Sequence, residues 1–183
     1  VQSQRAVALP ATATLEQQLL AGLPFQPTAA QQRVHREISG DLCRDRPMLR
    51  LVQGDVGAGK TLVAARAALL AIDAGYQVAM MAPTEILAEQ HYHAFVEWLE
   101  PLGLQVAWLA GKLKGKKRDL QLGLIATGTA QMVVGTHALF QDDVRYRGLA
   151  LVIVDEQHRF GVHQRLALKQ KGVDQGLVPH QLI

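Results

Sequence analysis

At 183 residues, 49% of them hydrophobic, the chain has enough apolar material to bury the core of one compact domain, or of one domain with an arm. Nineteen Lys and Arg against 16 Asp and Glu leave a formal net charge of +3, which permits an anionic partner without demanding one. A single cysteine, Cys43, excludes an internal disulfide framework, no apolar run has the length of a membrane span, and the N-terminus lacks the pattern of a secretory signal; a cytoplasmic protein is expected.

Residues 1–24 are mostly Ala, Gln, Thr and Leu, with Pro10 and Pro24 as breakers. A short helix fits 13–21, nothing here carries chemistry, and the segment reads as an arm or linker. The remainder, 25–183, reads as one domain. Thr28 suits a helix N-cap and leads into 33–42, where Val34, Ile38 and Leu42 recur at helical spacing. The side chain of Gln31 both donates and accepts, so it can read the matching edge of adenine. Taken alone, it is more simply an exposed polar residue on a surface helix.

The apolar run 48–52 predicts a buried strand, and the Ala- and Leu-rich 62–74 predicts a helix. Between them Gly54-Asp55-Val56-Gly57-Ala58-Gly59-Lys60-Thr61 fits the phosphate-loop pattern G-x-x-x-x-G-K-[ST] without mismatch. Three glycines let the backbone curl and turn successive N–H groups toward an anion, and the helix start adds the positive end of its dipole. Lys60 would then reach the β- and γ-phosphates of a nucleoside triphosphate, and the Thr61 hydroxyl would ligate Mg²⁺. A Gly-rich turn that happens to precede Lys-Thr is the competing reading, and the strand-loop-helix context argues against it.

Downstream, strands are predicted at 78–82, 105–110, 132–134 and 149–154, and helices at 85–99 and 118–127. Strands separated by helices indicate an α/β fold with a mostly parallel central sheet and helices on both faces, which binds ligands at the carboxyl ends of its strands. At the end of 149–154 stand Asp155 and Glu156. There Asp155 can hold Mg²⁺ through its water shell, and Glu156 can orient or deprotonate an attacking water. At two other strand ends, Pro83 with Thr84 and Gly135-Thr136-His137 are each either a phosphodiester contact or a helix cap. Lys112, Lys114, Lys116, Lys117 and Arg118 form the densest basic cluster; with Gly111 and Gly115 it reads as a flexible loop, either solvated or, through Lys112 and its neighbours, touching a nucleic-acid backbone. His91 with His93, and His158 with His163, lack the companions of a zinc site.

These motifs are those of superfamily 2 nucleic-acid helicases, and four stretches narrow the match. Residues 54–64, 82–91, 134–139 and 154–162 resemble the bacterial RecG-type DNA helicases, with the likeness running from about Leu23 to the last residue. Transcription-repair coupling translocases share the Gly-Asp-Val-Gly opening and the Arg-Phe-Gly-Val tail but generally carry Glu where this chain has Gln157. The resemblance implies a RecA-like phosphate-loop domain, the first of two motor lobes, in a monomeric, nucleoid-associated enzyme that uses ATP to remodel stalled forks and branched recombination intermediates. It also implies adenine recognition by Gln31, DNA-backbone contacts by Pro83, Thr84 and the Gly135 to His137 turn, and coupling of nucleotide to DNA through Gln157 and His158.

The family's third motif would start just past Ile183, so the domain is expected to be cut before it. A second RecA-like lobe and the branch-recognising wedge domain are the implied partners, besides branched or forked DNA. Without the second lobe's arginine fingers the isolated lobe is expected to hydrolyse ATP negligibly. Two rivals remain: a translocase lobe acting on RNA polymerase, and a nucleotide-gated binding module with no motor activity.

Overall fold

The computed structural model of the chain describes residues 6, 8–9, 14–24, 26–44, 49–50, 58–141, 143–155 and 180–182, and for 49–50, 58–60 and 180–182 the backbone alone. Five helices, α1 (Thr14–Ala21), α2 (Ala29–Leu42), α3 (Ala58–Asp73), α4 (Glu85–Leu99) and α5 (Lys116–Ala126), accompany six strands. The strands are β1 (Leu49–Arg50), β2 (Gln77–Met81), β3 (Val106–Leu109), β4 (Met132–Gly135), β5 (Leu149–Val154) and β6 (His180–Leu182). They form one sheet in the order β1-β6-β5-β2-β4-β3. Every pairing among the described residues is parallel, in keeping with the α/β expectation.

Side-chain alternation along the central strands builds two cores. Val78 and Met80 of β2 join Met132 and Val134 of β4 on one face, packed with α3 and with Phe95 and Leu99 of α4. Ala79 and Met81 join Val133, Val152 and Val154 on the other, with Ile125 of α5 and the Ala138-Leu139-Phe140 turn. Successive strand residues point to opposite faces, so strands buried on both sides must be apolar throughout, as β5 is along its length. Within α3, Ala65, Ala67, Ala68, Leu69 and Ala71 are wholly buried, because small side chains let the helix lie between the sheet and a further helix layer.

That further layer contains the segment expected as an arm. Leu9 and Leu19 are core residues, the Leu15 N–H donates to Asp73 Oδ2 at 3.3 Å, and Leu9 N donates to Leu42 O at 2.7 Å. The described part of 1–24 is therefore docked, because α1 is amphipathic and its apolar residues are covered by α3. Beneath it lies a charged cluster. The Arg66 Nε donates to Glu16 Oε1 at 2.9 Å, with Nη2 on the same oxygen, and His35 Nε2 lies 3.0 Å from Glu16 Oε2. All three side chains are buried. Burial pushes the Glu16 carboxyl up, but the hydrogen bonds from His35 and Arg66 outweigh it and hold the group below its ordinary value.

A second buried polar residue joins three segments on the other face. The Gln77 Nε2 donates to Ile125 O at 2.8 Å and to Ala130 O at 3.0 Å, while its Oε1 accepts from Gly148 N at 3.0 Å. Gln77→Leu keeps the volume and removes all three bonds, and is expected to cost about 2 kcal/mol in urea unfolding. An unchanged midpoint would show that these groups find other partners.

The predicted helix 85–99 and strand 149–154 match α4 and β5 in full. The basic cluster differs from expectation: α5 starts at Lys116, so Lys116, Lys117 and Arg118 are helical and only Lys112 and Lys114 stay in the loop. β6 inserts between β1 and β5.

Candidate nucleotide-binding edge

Because all six strands run the same way, their carboxyl ends share one edge, and the described motif residues at 82–84, 136–137 and 155 lie just beyond those ends. Backbone bonds lace three of them together past the last strand residues. Asp155 N donates to Met81 O at 2.9 Å, Ala82 N to Gly135 O at 3.0 Å, and Thr136 N to Leu109 O at 3.2 Å. The edge is thus a continuous rim, in which Asp155, Pro83 with Thr84, and Gly135 to His137 hold fixed places.

The phosphate-loop residues Gly54, Asp55, Val56 and Gly57 lie outside the described residues, as do Glu156, Gln157 and His158. Ala58, Gly59, Lys60 and Thr61 form the first turn of α3, where the N–H groups have no intrahelical partners and the dipole is positive. Leu62, the next residue, is buried, so the helix start is anchored directly behind the loop.

Gln31 has a local partner. Its Oε1 accepts from Thr28 N at 2.8 Å while Thr28 Oγ1 accepts from Gln31 N at 3.2 Å, a reciprocal capping box at the start of α2. The box fixes the side chain and leaves the Nε2 protons and a second Oε1 lone pair for a ligand.

Thr84 caps α4, its Oγ1 accepting from Leu87 N at 3.2 Å. The hydroxyl is exposed and keeps its own proton to donate. Cap and contact are therefore compatible. Of Gly135, Thr136 and His137, only His137 is exposed. A Cβ on Gly135 would stand 1.8 Å from the Leu109 carbonyl oxygen, so glycine is required there by the close approach of β3. Thr136 is buried, with its Oγ1 toward Ala138 N at 3.5 Å.

Lys112 is exposed and pairs with Glu85 at the N-terminus of α4, Nζ to Oε2 at 3.4 Å. Lys116, Lys117 and Arg118 occupy the first turn of α5, where cations oppose the helix dipole; Arg118 is compensated by Asp143 at 2.7 Å. Between this loop and α4 lies an open cleft of about 420 Å³ lined by Glu85, Glu89, Tyr92, Trp108 and Lys112, with the Tyr92 ring edge-on to Trp108. Trp108 and Trp98 pack against the core.

One contact at the edge escapes sequence reasoning. The His91 Nε2 of α4 lies 2.9 Å from Asp155 Oδ2, with both side chains largely buried. Locally the residues offer only a histidine pair; the one usable signal is that His91 lies about two helical turns beyond Thr84, on the same side of α4.

The chain matches the DEAD/DEAH box helicase family model over residues 28–176. It is 66% identical over 169 residues to the ATP-dependent DNA helicase RecG of Haemophilus influenzae, covering 92% of this chain and 24% of that protein. To the protein of the same name from Escherichia coli K12 it is 65% identical over 175 residues, covering 96% of this chain and 25% of that one. A solved structure of RecG bound to a three-way DNA junction superposes with a TM-score of 0.85 at 39% identity, over 97% of this chain and 23% of the other. The chain thus spans about a quarter of the length of these relatives.

Proposed function

Because the chain belongs to the DEAD/DEAH box helicase family, we propose that it is the first motor lobe of a RecG-type, ATP-dependent DNA helicase that remodels forked and branched DNA. The observation that carries this reading is the shared rim: Asp155, suited to a nucleotide-bound metal, and Thr84 with the Gly135 to His137 turn, suited to a nucleic-acid backbone, stand at the carboxyl ends of one parallel sheet whose neighbouring ends are joined by backbone hydrogen bonds.

Residue chemistry assigns the roles. Lys60 neutralises the β- and γ-phosphates above the start of α3, Gln31 reads the adenine edge from its capping box, and Glu156 orients the attacking water. Thr61 and Asp155 are hard oxygen donors suited to Mg²⁺. The donor set fits that ion: among the described residues no three His, Cys, Asp or Glu side chains gather as an all-protein cage would require, and Mg²⁺ keeps waters and substrate phosphates as its other ligands. When bound, it offsets charge on the transferred phosphoryl group.

Thr84 and His137 face the DNA backbone from the same rim, and the cations at the start of α5 add attraction of the kind a phosphate chain rewards. Gln157 and His158 couple the two ligands. A second RecA-like lobe closes on this one around ATP, a wedge domain supplies branch recognition, and the enzyme acts as a monomer.

The test is ATP hydrolysis by the full-length protein without DNA, with linear duplex and with a three-way junction. Strongest stimulation by the junction is expected. A rate indifferent to all DNA would sink the helicase reading and redirect the search to a protein partner such as RNA polymerase.

A further inference from the structure

We infer that His91 is a positioning residue: it holds the Asp155 carboxylate in place for Mg²⁺ and ties that carboxylate to the nucleic-acid end of α4. This role rests on the motor reading and adds to it a route between the two ligands.

Asp155 is gripped twice by one structural unit. Its backbone N–H donates to Met81 O, the last residue of β2, and its Oδ2 accepts from His91 Nε2 at 2.9 Å. Met81 and His91 flank the Ala82-Pro83-Thr84 turn, so β2, that turn and α4 together fix both the backbone and the side chain of Asp155. The imidazole is 17% exposed and the carboxylate 15%, which shields the bond from competing water. His93, on another side of α4, is by contrast an exposed histidine whose partner, Glu89 at 3.5 Å, is a solvent-exposed residue of the same helix.

Helix geometry makes the tie mechanical. About two turns, or roughly 10 Å, separate Thr84 at the exposed N-terminus from His91, and an α-helix of this length moves as a rod. A phosphodiester seated at Thr84 therefore biases the position of His91 relative to β5, and with it the orientation of the Asp155 carboxylate. Partners of this kind around a metal-binding carboxylate set its orientation, and their loss typically weakens the metal by about 10- to 100-fold. By linkage, whatever DNA does to the metal site, the metal must do to DNA affinity.

The experiment measures binding of a fluorescent ATP analogue by the full-length protein while MgCl₂ is titrated, with and without a three-way junction. His91→Ala and His91→Asn, neither of which reaches Asp155, are expected to raise the Mg²⁺ midpoint about tenfold, leave nucleotide binding in EDTA unchanged, and abolish the shift of the midpoint caused by the junction. His91→Gln places an amide N–H near the same carboxylate oxygen and is expected to recover most of the parent midpoint. If Ala fails to fold, the Asn and Gln variants carry the comparison. A midpoint unaffected by shortening the side chain overturns the inference, as does an equal loss in the Asn and Gln variants, which would mark His91 as packing. A junction that leaves the parent midpoint unmoved removes the link to DNA. A parent protein that binds no Mg-nucleotide at all overturns the motor reading together with this inference, whereas one that binds it normally and tolerates the substitutions overturns the inference alone.

Discussion

Lys60→Ala is expected to lower DNA-stimulated ATP hydrolysis by about 10²- to 10³-fold with little change in melting temperature. The N–H groups of the first turn of α3 and a dipole of about half a charge survive the substitution and still attract phosphate, so nucleotide affinity falls less than the rate. On the proposed reading only the ammonium brings a full, movable charge to the γ-phosphate as its own charge redistributes, and removing one preorganised donor to a transition state typically costs a factor of this size. The fold is spared because burial of α3 begins one turn along, at Leu62 and Val63, and continues through Ala71. Steady-state kinetics beside thermal melting separates the two effects. A variant that keeps its rate would show that the hydrolysed nucleotide lies elsewhere.

Glu16→Ala is expected to destabilise the chain by about 3–5 kcal/mol in urea unfolding at neutral pH, a large share of the stability of an ordinary domain. The substitution leaves the Arg66 guanidinium buried beside His35 with the shared acceptor gone, and among the described residues Arg66 Nη1 and His35 Nδ1 already lack partners. The pH dependence has a definite sign. The folded-state carboxyl is held below its ordinary value of 4.5, so the stability it contributes is complete above that value and is lost as the pH falls through and below it. The gap between parent and variant should therefore be widest near neutrality and close on acidification. Adding Arg66→Met to Glu16→Ala should restore part of the loss, because it removes the uncompensated charge. A variant as stable as the parent would mean that α1 is not anchored through this cluster.

Periodic and punctuated segments were legible from residues alone. The six apolar residues of β5 are buried on both faces of the sheet, and the boundaries of α4 are set by Thr84 at one end and by Pro101 and Gly103 at the other, signals that act within a few residues of themselves. The shared edge was legible too, because parallel strands leave no choice about where their carboxyl ends lie. What the residues concealed depends on pairing across long separations. Glu16, His35 and Arg66 come from three different helices, so residues 1–24 read as an arm. Gln77 looks like any polar strand residue until Ile125, Ala130 and Gly148 converge on it. His91 carries no mark of Asp155, since nothing local encodes a contact between a helix and a strand end. The turn at Gly135 was open between a nucleic-acid contact and a cap; the nearness of the Leu109 carbonyl supplies a third reason for glycine that only the packed sheet reveals.

The placement of β6 between β1 and β5 has a consequence for how the chain is made. β1, which leads toward the phosphate loop, has β6 as its neighbour in the sheet, so two distant stretches of the sequence must meet before that strand is held. The block β5-β2-β4-β3 can assemble from sequence already extruded, while β1 waits for β6 to leave the ribosome, roughly ten seconds at ordinary synthesis rates. During the last few seconds of that wait, after β5 has emerged and before β6 has, one side of β5 is an open template, able to accept a stray strand from another nascent chain. The β1 side of the sheet is thus set after the rest, and depends on how soon β6 follows β5.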